Sequence, residues 1–149
     1  GASRGILGPL IEQAPAEVVI ANRTTGKAVG LAAEFAELGA IRGCGFDDLN
    51  GLEFDLILNA TSASLSGQLP PLPENLLAEH GSCYDLAYGN EPTAFVRWGQ
   101  AHRAVKSLDG LGMLVEQAAE AFYLWRGVRP ETRPVIEWLN AERNDREFP

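Results

Sequence analysis

The chain has 149 residues, of which 46% are hydrophobic and 21% charged, with a formal net charge of −8. That length suits one domain with a real core, and the apolar runs are too short to cross a bilayer. The acidic balance argues against a nucleic-acid partner, which would need a basic face.

In chain order, residues 3–13 read as a helix with Ile6, Leu7, Leu10 and Ile11 on one face and Pro9 inside it. Residues 17–21 form a buried strand, and 25–38 a helix with Ala28, Leu31, Ala32 and Phe35 at helical spacing, ended by Gly39. A short strand over 40–44 leads to a turn at Asp47-Asp48-Leu49, and 54–59 is a strongly apolar strand. The proline-rich stretch from Gly67 is loop. A short helix over 74–79, a strand over 83–86, a helix over 93–101 and a last strand over 104–107 follow. Residues 111–126 form the longest helix, whose stripe Leu114, Val115, Ala118, Phe122 and Trp125 is expected to pack on the sheet. A helix over 134–143, with Pro134 at its first position, and a polar tail from Asn144 close the sequence. Strands alternating with helices predict an α/β fold, a Rossmann-like doubly wound parallel sheet.

Cys44 and Cys83 have no companions at metal-ligand spacing and are expected to stay free thiols in a reducing cytoplasm. His80 and His102 are isolated and read as surface or helix-end residues. The start shows no apolar segment behind a basic one, so no signal peptide is expected.

Open parallel sheets bind ligands beyond the carboxyl ends of their strands. Asn22-Arg23-Thr24 follows one strand, Asn59 to Ser62 another, Leu86 to Tyr88 a third, and Asp109-Gly110 the last. Their shared position argues for one composite site. Asn22, Arg23 and Thr24, with Lys27 a turn later, stand where a dinucleotide fold meets the adenosine ribose. A carboxylate there would select a free 2′-hydroxyl and hence NAD. An amide, a guanidinium and a hydroxyl suit a 2′-phosphate and hence NADP, because arginine binds phosphate oxygens through paired N–H groups. The alternative is a polar turn in which Thr24 or Thr25 caps the next helix.

Gly1-Ala2-Ser3-Arg4-Gly5 reads as the second half of a glycine loop opening a helix, where N–H groups can face a pyrophosphate. Asn59-Ala60-Thr61-Ser62 is either a close-approach loop for a ligand or a polar turn. Tyr84 reads as core, whereas Tyr88 lies past its strand and can reach a substrate. Gly110 and Gly112 start the longest helix at a cost in helix propensity, which close approach of a flat ring would explain. Gln117, on the edge of the apolar stripe, is a candidate to point into the crevice.

Together these strings resemble the cofactor domain of the shikimate dehydrogenase family, over essentially the whole chain. The resemblance rests on Gly1 to Gly5, Asn22-Arg23-Thr24, Phe54 to Ile57 leading into Asn59 to Ser62, Ser66-Gly67, Tyr84-Asp85, Asp109 to Val115, and Gln117-Ala118-Ala119. It implies an NADP-dependent oxidoreductase that reduces 3-dehydroshikimate to shikimate in aromatic amino-acid biosynthesis, in the cytoplasm. By analogy, Asn22, Arg23, Thr24 and Lys27 hold the 2′-phosphate, and Gly1 and Ala2 lie by the pyrophosphate. Thr61, Ser62 and Met113 line the cofactor, Leu86 and Gly110 meet the nicotinamide amide through their backbones, and Tyr88 and Gln117 touch the substrate. No metal is implied, and a homodimer stays open as an assembly.

The sequence departs from the family at Ser64, where glycine is usual, and at Lys27, often arginine. The family's catalytic Lys and Asp belong to an N-terminal substrate domain that this sequence lacks; Lys27 and Asp109 do not match them. The first strand and the first glycines of the loop are also missing. Residues 1–149 are therefore expected to be the NADP-binding domain of a longer polypeptide. Without the first strand, its two neighbours should keep unpaired edges. The alternatives are a non-catalytic NADP-binding or regulatory module, and an NAD-using quinate/shikimate dehydrogenase.

Overall fold

The computed structural model describes residues 2–145, without the side chains of Ser64, Leu65, Asn144 and Asp145. They fall into two compact units: Gly1–Asp55 with Pro70–Glu79, and Leu56–Leu69 with His80–Pro149, each as far as it is described.

In the first unit, helix α1 (Ala2–Glu12) buries Leu7 and Ile11, the face expected of it, with Pro9 inside. Strand β1 (Val18–Ala21) pairs in parallel with β2 (Ile41–Cys44), in the register Val18 to Ile41 through Ala21 to Cys44. Helix α2 (Thr25–Phe35) connects them and buries Ala28 and Ala32. The helix sits so close to β2 that a Cβ on Gly43 would lie 2.2 Å from the Ala28 carbonyl carbon. Only glycine fits there. A single 3-10 turn, Asp47–Leu49, follows with Leu49 buried.

The remaining strands, β3 (Phe54–Asn59), β4 (Leu77–Asp85) and β5 (Lys106–Leu108), form a sheet in the order β3-β4-β5. The β4–β5 pairing is parallel, Ser82 to Lys106 through Tyr84 to Leu108. Helix α3 (Ala94–Ala101) buries Phe95, Val96, Trp98 and Gly99, and Phe95 stacks on Trp98 at 5.8 Å between ring centroids. Helix α4 (Leu111–Arg126) ends at Gly127 in the left-handed conformation, φ 70°, and α5 (Arg133–Asp145) packs beside it.

The strands thus form two separate sheets, β1-β2 and β3-β4-β5.

Three expectations need correction. The helix over 74–79 does not form: Leu77–Glu79 is already strand, because the Phe54 N–H bonds the Leu76 carbonyl at 2.9 Å and Leu76 is buried. The strand expected over 83–86 therefore starts six residues earlier and ends at Asp85. Helix α4 buries Leu111, Val115 and Ala119, whereas Leu114, Ala118, Phe122 and Trp125 are exposed. Both stripes repeat at helical spacing, so periodicity alone does not choose between them. Among the described residues no helix is long and apolar enough to cross a membrane, and no cluster of His, Cys, Asp and Glu could hold a metal.

Candidate functional site

At the carboxyl end of β1 the chain turns on Asn22. Its N–H reaches the Cys44 carbonyl at 3.2 Å, and its Oδ1 accepts the Thr24 N–H at 2.9 Å. This Asx turn starts α2 without help from a threonine hydroxyl: Thr24 is the N-cap residue in extended conformation, yet its side chain makes no capping bond. Arg23 projects from the turn, exposed, and among the described residues no carboxylate pairs with it. Lys27 is exposed in the first turn of α2 and is likewise unpaired. A guanidinium, a hydroxyl and an ammonium thus stand together without internal partners. Ala2 opens α1, and Gly1 lies outside the described residues.

In the second unit the ends of β3 and β4 and the start of α3 are tied together by a buried polar network. Asn59 is 3% exposed and Asp85 is fully buried. The Asn59 Nδ2 donates to Asp85 Oδ1 at 3.2 Å, the Ala87 N–H donates to the same oxygen at 3.1 Å, and the Thr93 hydroxyl donates to Asp85 Oδ2 at 2.6 Å. Thr93 Oγ1 also accepts the Val96 N–H at 3.1 Å and so caps α3. A buried carboxylate is tolerated because it is bonded.

Thr61 shapes the next turn, donating from its hydroxyl to Asn59 Oδ1 at 2.8 Å and accepting the Ala63 N–H at 3.3 Å. Ser62 beside it is exposed, and the side chain of Ser64 lies outside the described residues.

Leu86 donates its N–H to the Asn59 carbonyl at 2.9 Å, while its own carbonyl has no donor among the described residues. Gly110 packs directly on it: a Cβ there would lie 2.3 Å from the Leu86 oxygen. The Gly110 N–H bonds Ala87 O, and its carbonyl accepts the Leu114 N–H, both at 3.0 Å. The Leu86 carbonyl is therefore the open acceptor of the pair, and Gly110 contributes by having no side chain.

Tyr84, read from the sequence as core, is half-buried, and its Oη accepts the Met113 N–H at 3.3 Å. Burial raises the Tyr84 pKa above the ordinary phenol value, so it stays neutral at physiological pH. Tyr88 is exposed past the strand, and Gln117 is exposed on α4, on the side away from Val115 and Ala119. Both cysteines are free and buried; His80 is exposed, and His102 ends α3 with Nδ1 2.8 Å from Trp98 O.

Thr61, Ser62, Leu86, Tyr88, Gly110 and Met113 thus lie on neighbouring strand ends and turns of one unit, and Asn22, Arg23, Thr24 and Lys27 on one turn of the other. The structural roles of Asp85, Thr93, Asp109 and Arg143 were missed. A charged residue inside the apolar run Cys83 to Leu86 was the available signal for Asp85.

Residues 110–137 match the shikimate 5′-dehydrogenase C-terminal domain. Over 143 residues the chain is 67% identical to a shikimate dehydrogenase (NADP(+)) of Methylococcus capsulatus, covering 96% of this chain and 51% of that protein. The chain is thus similar to about half of a shikimate dehydrogenase, with the match to the C-terminal domain lying in residues 110–137. A second relative of the same name, from Cellvibrio japonicus, is 56% identical over 98% of this chain and 53% of its own length. The chain therefore spans about half the length of the curated relatives it matches. Among solved structures, shikimate 5-dehydrogenase from Thermus thermophilus in complex with NADP(H) and shikimate superposes with a TM-score of 0.70 at 32% identity, over 88% of this chain and 48% of that one. An Ael1 enzyme from Pseudomonas putida gives 0.83 at 47%, over 93% and 51%.

Proposed function

We propose that this chain is the NADP-binding half of a shikimate dehydrogenase, which reduces 3-dehydroshikimate to shikimate with NADPH in the cytoplasm. Its acid/base residues and substrate domain would belong to a preceding part of a longer polypeptide. The observation that carries this reading is Arg23: a guanidinium at the carboxyl end of β1, in a turn fixed by Asn22 and, among the described residues, bound to no carboxylate. An unpaired arginine, a free threonine hydroxyl and Lys27 supply the donors that a 2′-phosphate needs, and no acidic side chain takes the place a ribose 2′-hydroxyl would require. The absence of a carboxylate in that turn speaks against an NAD-using relative.

The open carbonyl of Leu86 offers an acceptor for a carboxamide N–H₂, and Gly110 lets the start of α4 pack against that strand end. When bound, NADPH supplies the hydride; the residues of this chain hold and orient it. Thr61 and Ser62 line the approach, while exposed Tyr88 and Gln117 provide a phenol and an amide for a polyhydroxylated acid. The free thiols Cys44 and Cys83 agree with a reducing compartment.

The test is Arg23→Ala in the full-length enzyme. NADPH binding should weaken roughly ten- to a hundredfold, from losing charge-assisted bonds of about 1.5–3 kcal/mol, with little change for NADH. Equal losses for both cofactors would overturn the phosphate assignment. A wild-type enzyme that binds NADP but turns over no shikimate would instead favour a non-catalytic module.

A further inference from the structure

Between Tyr88 and the start of α4 lies an arrangement that the cofactor reading does not use. Arg143, near the end of α5, reaches back to two turns at once. Its Nη1 donates to Asp109 Oδ2 at 2.6 Å and to the Gly89 carbonyl at 2.8 Å. Its Nη2 lies 3.4 Å from Asp109 Oδ1 and donates to Asn140 Oδ1 at 2.6 Å. Asp109 Oδ1 in turn accepts the Leu111 N–H at 3.2 Å at the start of α4. The pair is largely shielded, with side chains 21% and 11% exposed, unlike the open surface pairs such as Arg133–Glu137.

Gly89 directly follows Tyr88, and Asp109 directly precedes Gly110. The Gly110 N–H already bonds the Ala87 carbonyl at 3.0 Å, and one planar fork adds a second tie between the turn that presents the phenol and the turn on which Leu86 and Gly110 meet. We propose that Arg143 is a positioning residue, which clamps the Tyr88 turn to the Gly110 turn and so holds the substrate-facing group in register with the nicotinamide-facing one. This rests on the function proposed above. A lysine would keep the charge, but it is a point donor without the fork and cannot serve Asp109, Gly89 and Asn140 in fixed directions.

The experiment compares wild type, Arg143→Lys, Arg143→Met and Asp109→Asn in the full-length enzyme. Two readouts are taken: steady-state kinetics with shikimate and NADP, and amide hydrogen exchange of residues 87–90 and 109–111. In Arg143→Met, kcat/KM for shikimate should fall between about ten- and a hundredfold, the scale of a misplaced contact. Its NADP dissociation constant should stay within about twofold, because Arg23, Thr24 and Lys27 are untouched. Exchange should rise in both turns together, and Asp109→Asn should reproduce it. Arg143→Lys should recover only part of the loss. Full recovery by lysine, unchanged exchange in either turn, or an equal loss of NADP and shikimate affinity would overturn the proposal. If Arg143→Met does not fold, Asp109→Asn and Arg143→Lys carry the same readouts. Hydrogen exchange also separates the two ideas: a wild type inactive on shikimate refutes the function, whereas loosened turns in the variants still establish the clamp.

Discussion

Replacing Gly110 with alanine tests the close approach at the ends of β4 and β5. The added Cβ would lie 2.3 Å from Leu86 O, 2.9 Å from Leu86 C and 3.4 Å from Ala87 O. A carbon and a carbonyl oxygen normally come no nearer than about 3.3 Å, so the overlap is about 1 Å. All three obstacles are backbone atoms and cannot rotate aside. Relief requires the start of α4 to move off the end of β4, stretching the Gly110–Ala87 bond of 3.0 Å and the Met113–Tyr84 bond of 3.3 Å. Overpacking costs about 1–3 kcal/mol, and the weakened hydrogen bond about 1 kcal/mol. Against this, φ at Gly110 is −74°, which alanine adopts freely, so the less flexible unfolded chain returns about 0.4–1 kcal/mol. The expected net loss is about 1–3.5 kcal/mol, read as a lower urea midpoint at constant slope. Gly112→Ala is the control: nothing lies within 4 Å of its Cβ, so it should be neutral or stabilising. Equal stabilities for the two variants would refute the packing argument.

Two further outcomes follow from the network and the thiols. Thr93→Ala removes the cap of α3 and the 2.6 Å donor to Asp85 together, so it should cost about 2–3 kcal/mol in the same urea assay, while Thr93→Ser should lose under about 1 kcal/mol; similar losses for both would refute the hydroxyl's role. Burial pushes the Cys83 thiol up to about 11, so a fraction on the order of 10⁻³ is thiolate at pH 8, and iodoacetamide labelling followed by mass should be far slower in the native protein than in urea. Because the folded pKa is the higher one, this thiol's contribution to stability is present in full below the unfolded value near 9 and is lost as pH rises through about 11. Equal labelling rates in both states would show that Cys83 is not shielded.

Much of this fold could be read from the chain because local signals and tertiary packing agree. Phe54–Asn59 and Leu111–Arg126 have the bounds that apolar patterning and the flanking turn residues assign. The turns after the strands were legible too, since a parallel α/β sheet puts its ligand contacts at one end of every strand. What failed depended on distant partners. Leu77–Glu79 became strand because of an N–H on Phe54, and the window itself reads equally well as a helix. On α4 two apolar stripes compete, and only tertiary burial selects Leu111, Val115 and Ala119. The Arg143–Asp109 pair spans 34 residues and leaves no local trace.

The polar residues at these strand ends divide their work in a way that bears on chemistry. Asp85 receives hydrogen bonds from Asn59, Ala87 and Thr93, and Asp109 from Leu111 and Arg143. A general base must offer a lone pair to substrate and a general acid must hold a transferable proton. Carboxylates whose oxygens already accept from neighbouring N–H and O–H groups serve as struts between turns. The groups facing outward are of another kind: the Arg23 guanidinium, the Lys27 ammonium, the Tyr88 phenol, the Gln117 amide and the Leu86 carbonyl. That inventory suits the phosphorylated dinucleotide and the hydroxylated acid of the proposed function, which assigns proton transfer to the substrate domain proposed above.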